Sequence, residues 1–258
     1  MKYIHSEAID EIQGKKVSKE DRFSFKCHSE ISCFNQCCRN IKLFLYPYDV
    51  IRLKHHLSVD SERFLDTYTD IIFRQGNYFP EVLLRMKQDA DMSCPFLNEY
   101  GCSVYENRPD TCRNFPIEQG IMYNAEHNTV EILYWFRPPD FCQGQYENHS
   151  LTVVDFLKNQ GADIYQKMTM EWAEIKRLFQ NDPWGKDGKN GRLAKMAFMA
   201  AYNMDEFRNF IFNSTFLNRY SIPIAQLKMI KTDDVALLEL GLNWIKFFLW
   251  KLPVAPFK

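Results

Sequence analysis

CHSEISCFNQCC, residues 27–38, carries four cysteines in twelve positions, and the last two are neighbours. A lone thiol packs well as a small hydrophobe. Four of them among Ser29, Glu30, Ser32, Asn35 and Gln36 do not read as core. Gathering thiols gains nothing unless thiolates are wanted, and thiolates repel one another unless a cation lies between them. Zinc or an iron–sulfur cluster supplies that cation. The fold must therefore bring distant loops to this stretch.

Two further cysteine groups supply those loops. CPFLNEYGCSVYENRPDTC (94–112) is C-x7-C-x9-C, and Cys142 stands in WFRPPDFCQG (135–144). The candidate metal ligands are thus Cys27, Cys33, Cys37, Cys38, Cys94, Cys102, Cys112 and Cys142. Side chains of adjacent residues diverge in an extended chain. Cys37 and Cys38 therefore either serve two centres or divide into one ligand and one spare thiol. Eight cysteines would fill two four-thiolate sites; one such site with four supporting thiols satisfies the same count. Zinc ribbons use paired C-x2-C knuckles, which are absent here. The loose spacing favours an iron–sulfur cluster, of the 4Fe-4S type, with zinc as the alternative. Arg39, Arg108, Arg113 and Arg137 lie near these cysteines in sequence. Arg108 and Arg113 are the candidates to offset thiolate charge beside a cofactor.

The 258 residues are 46% hydrophobic, enough for a real core. A formal net charge of −1 gives no basic surface for nucleic acid. The polar start MKYIHSEAIDEIQGKKVSKED has no apolar signal-peptide core. The most apolar stretch, 235–257, is broken by Glu239, Lys246 and Lys251 and reads as a buried helix rather than a membrane span; an interfacial helix is the lesser alternative. These features point to a cytoplasmic protein, where thiols stay reduced and disulfides are not the explanation.

No cysteine follows position 142, which divides the chain into a cysteine-rich part (20–148) and a helical part (149–258) packed on it. In the first, IKLFLYP (41–47) reads as a strand, Asp49 as a cap for the helix that follows, and SERFLDTY (61–68) as a short helix. QGIMYNAEHNTVEILYWF (119–136) reads as a hairpin turning at NAEHN. In the second, Thr152 and Asp155 form a capping box. Ile164, Met168, Trp172, Ile175, Leu178 and Phe179 mark the apolar stripe of a helix. MAFMAAY (196–202) fits strand or helix. Asp205 is expected to cap DEFRNFIFN, and Thr232 or Asp233 the last helix. The fold class is α+β: a small cysteine-rich lobe with short strands, and a mainly helical C-terminal lobe.

CHSEISCFNQCC followed by CPFLNEYGCSVYENRPDTCRNFP resembles the YkgJ-like cysteine-cluster proteins, whose signature is C-x2-C-x2-C-C and then C-x-[IV]-Y-x-x-R-P-x-x-C-R. Cys102, Val104, Tyr105, Arg108, Pro109, Cys112 and Arg113 match the second segment. In the first, Cys37–Cys38 keeps the paired end, while the spacing is x5 and x3. The resemblance spans about 25–145 and implies zinc or iron chelation. It extends to flagellin lysine N-methylases, whose membership implies an iron–sulfur cluster.

Other sites are weaker. His28 lies within the first cysteine group and reads as an exposed neighbour of the site. His55 and His56 read as surface, His127 as a turn residue, and His149 as lying near the lobe junction. No HExxH, Gly-x-Ser-x-Gly, phosphate-loop or dinucleotide motif occurs, and no Gly-rich strand-to-helix turn for S-adenosylmethionine. GKDGKNGR (185–192) reads as a connector. Two classes of function remain: a cluster protein for electron transfer or modification of a protein substrate, or a structural zinc protein that binds a protein partner. Metal storage or delivery is a third. Whether the protein is an enzyme stays open.

Overall fold

The computed structural model describes residues 2–4, 9, 12–74, 77–124 and 129–257; His127 and most of the NAEHN turn lie outside them. The architecture is α+β, with short, mostly antiparallel strands and many helices. Two compact units form, each from two separate stretches: Met1–Leu43 with Met86–Ala173, and Phe44–Arg85 with Glu174–Lys258. The units interleave along the chain, whereas the cysteine count divides it once, at 148/149. All eight cysteines fall in the first unit.

The first unit is built on the antiparallel hairpin Ile117–Asn124 and Thr129–Phe136, rich in the β-branched and aromatic residues that suit a pleated surface. Lys15–Val17 extends it antiparallel on one side, and Lys2–Tyr3 parallel on the other. Alternation sends Ile117 and Tyr134 to one face. There they pack with Phe23, Phe25, Phe156 and Leu157. Leu133 and Trp135 face the other way, with Ile4. The Ile4 side chain occupies the space that a Cβ on Gly120 would need, so a larger residue there would displace the end of the Ile4 side chain. Arg22–Ser24 pairs with Ser150–Thr152. That pairing carries Cys27 towards the loop of Cys142.

The Thr152 cap forms as expected, accepting from the Asp155 amide at 3.1 Å ahead of Val153–Asn159. The helix Asp163–Leu178 also forms. Its buried stripe is Tyr165, Met168, Thr169, Trp172 and Ile175, with Phe179 just beyond the helix, while Ile164 is exposed and Leu178 half-buried. Ile164 and Tyr165 are about 100° apart on a helix, and the larger aromatic takes the interior.

In the second unit, Phe44–Leu45, Glu81–Leu84 and Thr69–Ile72 form an antiparallel sheet with Glu81–Leu84 central. The strand expected over 41–47 is thus only two residues long, because Pro47 opens a helix, Pro47–Leu57. Asp49 lies inside that helix, not at its cap; it accepts from the Tyr46 amide at 2.8 Å. Ser61–Tyr68 is capped by Asp60. MAFMAAY is helical, within Arg192–Tyr202. Asn203 rather than Asp205 caps Met204–Asn213, since Asp205 is engaged elsewhere. Asp233 caps Asp234–Trp250 as expected. Gly241 in that helix faces the Ala200 carbonyl, where any Cβ would collide with backbone. Trp244 centres an aromatic core, stacked on Phe207 at 5.6 Å with Phe216 edge-on at 5.2 Å. No helix among the described residues is long and apolar enough to cross a membrane.

Candidate metal centre

The eight cysteines are free thiols carried by loops and turns that backbone hydrogen bonds tie together. Lys26 donates its amide to the Gly144 carbonyl at 3.0 Å, and Phe25 to His149 at 2.9 Å, which sets Cys27 beside the Cys142 loop. The Gln143 amide donates to Cys33 Sγ at 3.1 Å. Across the site, the Cys94 amide donates to the Cys38 carbonyl at 2.8 Å, and Asn40 to Met92 at 3.0 Å. Leu97–Asn98 and Gly101–Cys102 pair as a tight hairpin that returns Cys102 towards Cys94. Cys112 sits in the single turn Asp110–Asn114. Cys33, Cys94 and Cys142 are buried, Cys27 is exposed, and the others are half-buried.

Electrostatics follow from that gathering. Burial pushes the Cys27 thiol up to about 11, and repulsion from Cys37, Cys33 and Cys142 adds to it. The hydrogen bond between the neighbours lowers Cys37 to about 7 and raises Cys38, which burial and the charges of Cys37, Cys112 and Cys94 raise further. Burial also raises Cys94, Cys102 and Cys142. Backbone amides oppose it at each: Phe96 and Leu97 at Cys94, Val104 at Cys102, Gly144 and Gln145 at Cys142. Lys87 helps at Cys94 and Arg108 at Cys102. Most of these sulfurs thus resist ionisation on their own while receiving donors that favour the thiolate. A cation bound among them resolves that conflict.

Donor chemistry therefore fits zinc or an iron–sulfur cluster. As they stand, no three His, Cys, Asp or Glu side chains among the described residues are arranged to hold a single ion. The fit lies in donor type and neighbourhood.

The arginines divide by role. Arg108 is buried, stacks over the Tyr105 ring at 3.9 Å, and donates to Tyr105 O and Gln160 Oε1, both at 2.6 Å. Its charge acts on Cys102 and Cys112. Arg113 is also buried, over the Tyr165 ring at 4.2 Å, and donates to the carbonyls of Glu106 and Gln160. It braces the loop that carries Arg108. Arg39 pairs with Asp91 at 2.6 Å and Arg137 with Glu118 at 2.9 Å, both partly exposed. His28 lies 3.6 Å from Glu147. His149 contributes its carbonyl to Phe25. His55 and His56 are exposed in the second unit, and His55 reaches a buried carboxylate, Asp234, at 2.7 Å. Sequence reasoning missed the amide donors and Lys87. The small residue two after Cys142, Gly144, was the one local sign of an amide turned back on sulfur.

The first unit is thus a hairpin-based unit that presents eight free thiols on tied loops, a cysteine-cluster module. Residues 26–150, just under half of the chain, match the model of the family CxxCxxCC, described as a "putative zinc- or iron-chelating domain". No curated protein and no solved structure matches the chain.

Proposed function

We propose that this module holds an iron–sulfur cluster, four-iron in type, through its cysteine thiolates, in the service of electron transfer or of modifying a protein substrate. The observation that carries the reading is the set of backbone amides directed at sulfur, the Gln143 amide to Cys33 at 3.1 Å being the clearest. Such donors offset sulfur charge and tune the potential of a cluster. When bound, the cluster would supply one-electron chemistry. The chain's own part is to hold thiolates against repulsion, with Arg108 countering charge at Cys102 and Cys112. Tyr100, Tyr105, Phe141 and Tyr146 stand exposed on the same loops and would meet a protein partner or substrate. A cytoplasmic setting would keep the thiols reduced.

A structural zinc role is the second reading, favoured by the burial of Cys33, Cys94 and Cys142, which suits a closed site. Iron, zinc and acid-labile sulfide should be measured on full-length protein purified without oxygen, with its visible spectrum. Iron and sulfide in comparable amounts support the cluster. Zinc without sulfide replaces it with the structural reading, and a readily exchanged metal points to storage or delivery.

A further inference from the structure

Aromatic rings stand in solvent on the cysteine loops: Phe34, Tyr105 and Phe141 are exposed, and Tyr100 and Tyr146 reach 86% and 73% exposure. Apolar surface left together in water marks an interaction face. Four of these rings have an acid as their sequence neighbour: Glu99–Tyr100, Tyr105–Glu106, Asp140–Phe141 and Tyr146–Glu147. Glu99, Glu106 and Asp140 are exposed, and Glu147 is half-buried. The loops that carry them are joined. The Phe34 ring lies 3.7 Å from where a Cβ on Gly101 would stand, so it rests on the hairpin turn of Glu99 and Tyr100. The Gln143 amide bond to Cys33 sets the loop of Asp140, Phe141 and Tyr146 beside Phe34. Tyr105 and Glu106 lie in the turn Tyr105–Asn107, just after the hairpin. Cations nearby are engaged: Arg39 with Asp91, Lys87 with the Leu97 carbonyl, and buried Arg108 with Tyr105. Lys26 is exposed at the start of the first loop. Open ring faces and negative charge thus share one surface.

We propose that this face docks an arginine-bearing segment of another protein, its guanidinium groups stacking on the exposed rings and pairing with the adjacent carboxylates. A guanidinium is planar and weakly hydrated, stacks on aromatic faces and forks onto carboxylates; an ammonium is a compact, strongly hydrated point charge. The chain makes the same contact internally, with Arg108 lying 3.9 Å over the Tyr105 ring. Negative charge on the face repels nucleic acid and anionic lipid. The inference rests on the reading of these rings as a partner surface and names the partner's chemistry. It does not depend on which metal the thiols hold.

The test titrates full-length protein, purified without oxygen, into fluorescein-labelled peptides of alternating arginine and glycine, with lysine–glycine and glutamate–glycine counterparts, and reads anisotropy. The arginine peptide should bind tightest, the lysine peptide less tightly and the glutamate peptide not at all, with affinity falling as salt rises. Tyr100→Ala and Tyr146→Ala should each weaken the arginine peptide by about two- to five-fold. Glu99→Gln and Asp140→Asn should weaken it and flatten its salt dependence. Ile224→Ala, at an exposed position in the second unit, should change nothing. Circular dichroism checks that each variant folds, and metal and sulfide measured on the same samples decide the cluster reading separately. Equal affinity for the lysine peptide, with no loss in the tyrosine variants, would reduce binding to bulk charge and overturn the proposal. Failure of the arginine peptide to bind, or binding of neutral phosphatidylcholine vesicles in its place, would overturn it too.

Discussion

Lys54→Met tests whether the charges within the second unit are structural. Lys54 is 3% exposed, and its ammonium lies 2.7 Å from Asp205 and 2.8 Å from Asp234, itself 4% exposed. Arg208 and His55 also reach Asp234, and the Ser61 amide and hydroxyl both donate to Asp205 at 2.7 Å. Methionine nearly matches the lysine stem in volume, so the change removes charge without opening a cavity. Removing one partner of a buried pair costs about 3–5 kcal/mol, whereas an exposed pair is worth about 0–1 kcal/mol. Burial selects the first range. The partners left to both carboxylates bring the expected loss to about 3 kcal/mol. For a unit of this size that is about 10–15 °C in melting temperature, at about 4 °C per kcal/mol. Urea and thermal unfolding followed by circular dichroism would read it. Adding Asp234→Asn should recover part of the loss, because the amide needs no counter-charge. A loss under about 1 kcal/mol, or no recovery in the double variant, would refute the reasoning.

Acid should act through the same network. Burial works to raise Asp205, but the hydrogen bonds and charge of Lys54 and the Ser61 bonds outweigh it and hold the carboxyl at about 2, below its ordinary 3.8. Its contribution is therefore present above about pH 4 and lost as pH falls towards 2. Partial exposure screens it to about 1 kcal/mol. A chemical denaturation series in buffers from pH 5 to 2 should show that decline, and Asp205→Asn should flatten it. Gly241→Ala should cost about 1–3 kcal/mol, because the new methyl meets the Ala200 carbonyl; an unchanged urea midpoint would contradict that packing. Replacing Cys37, Cys38, Cys102 or Cys112 with Ser should lower bound metal and destabilise the cysteine unit, and elemental analysis unaltered in all four would remove the metal assignment. Stripping metal with a chelator should lower the melting temperature of the same unit, which calorimetry before and after would detect.

Much of the local structure is legible in the residues. The hairpin over 119–136 follows from its β-rich flanks, and the helix over 162–180 from its spacing. Asp233 and Thr152 show as caps because a short oxygen-bearing side chain precedes an apolar run. The errors have local causes too. Asp205 looks like a cap, but a buried lysine from a distant helix claims it, and Asn203 takes the end of the helix instead. Ile164 and Tyr165 compete for one stripe, and size settles it.

The sequence by itself determined the donor chemistry. Eight cysteines amid polar residues, with a paired Cys37–Cys38 and a C-x-V-Y-x-x-R-P-x-x-C-R segment, fix a soft, sulfur-rich donor set without reference to any fold. Residue type and short spacing are properties of the chain alone. Only the tertiary structure decided which thiols are neighbours, that residues 44–85 leave the cysteine unit to join another sheet, and that Arg108 is held by Tyr105 and Gln160 with its charge acting on Cys102, while Arg113 braces its loop. Those outcomes depend on contacts between residues far apart in sequence. The burial of many side chains at once selects such contacts, and no local pattern records them.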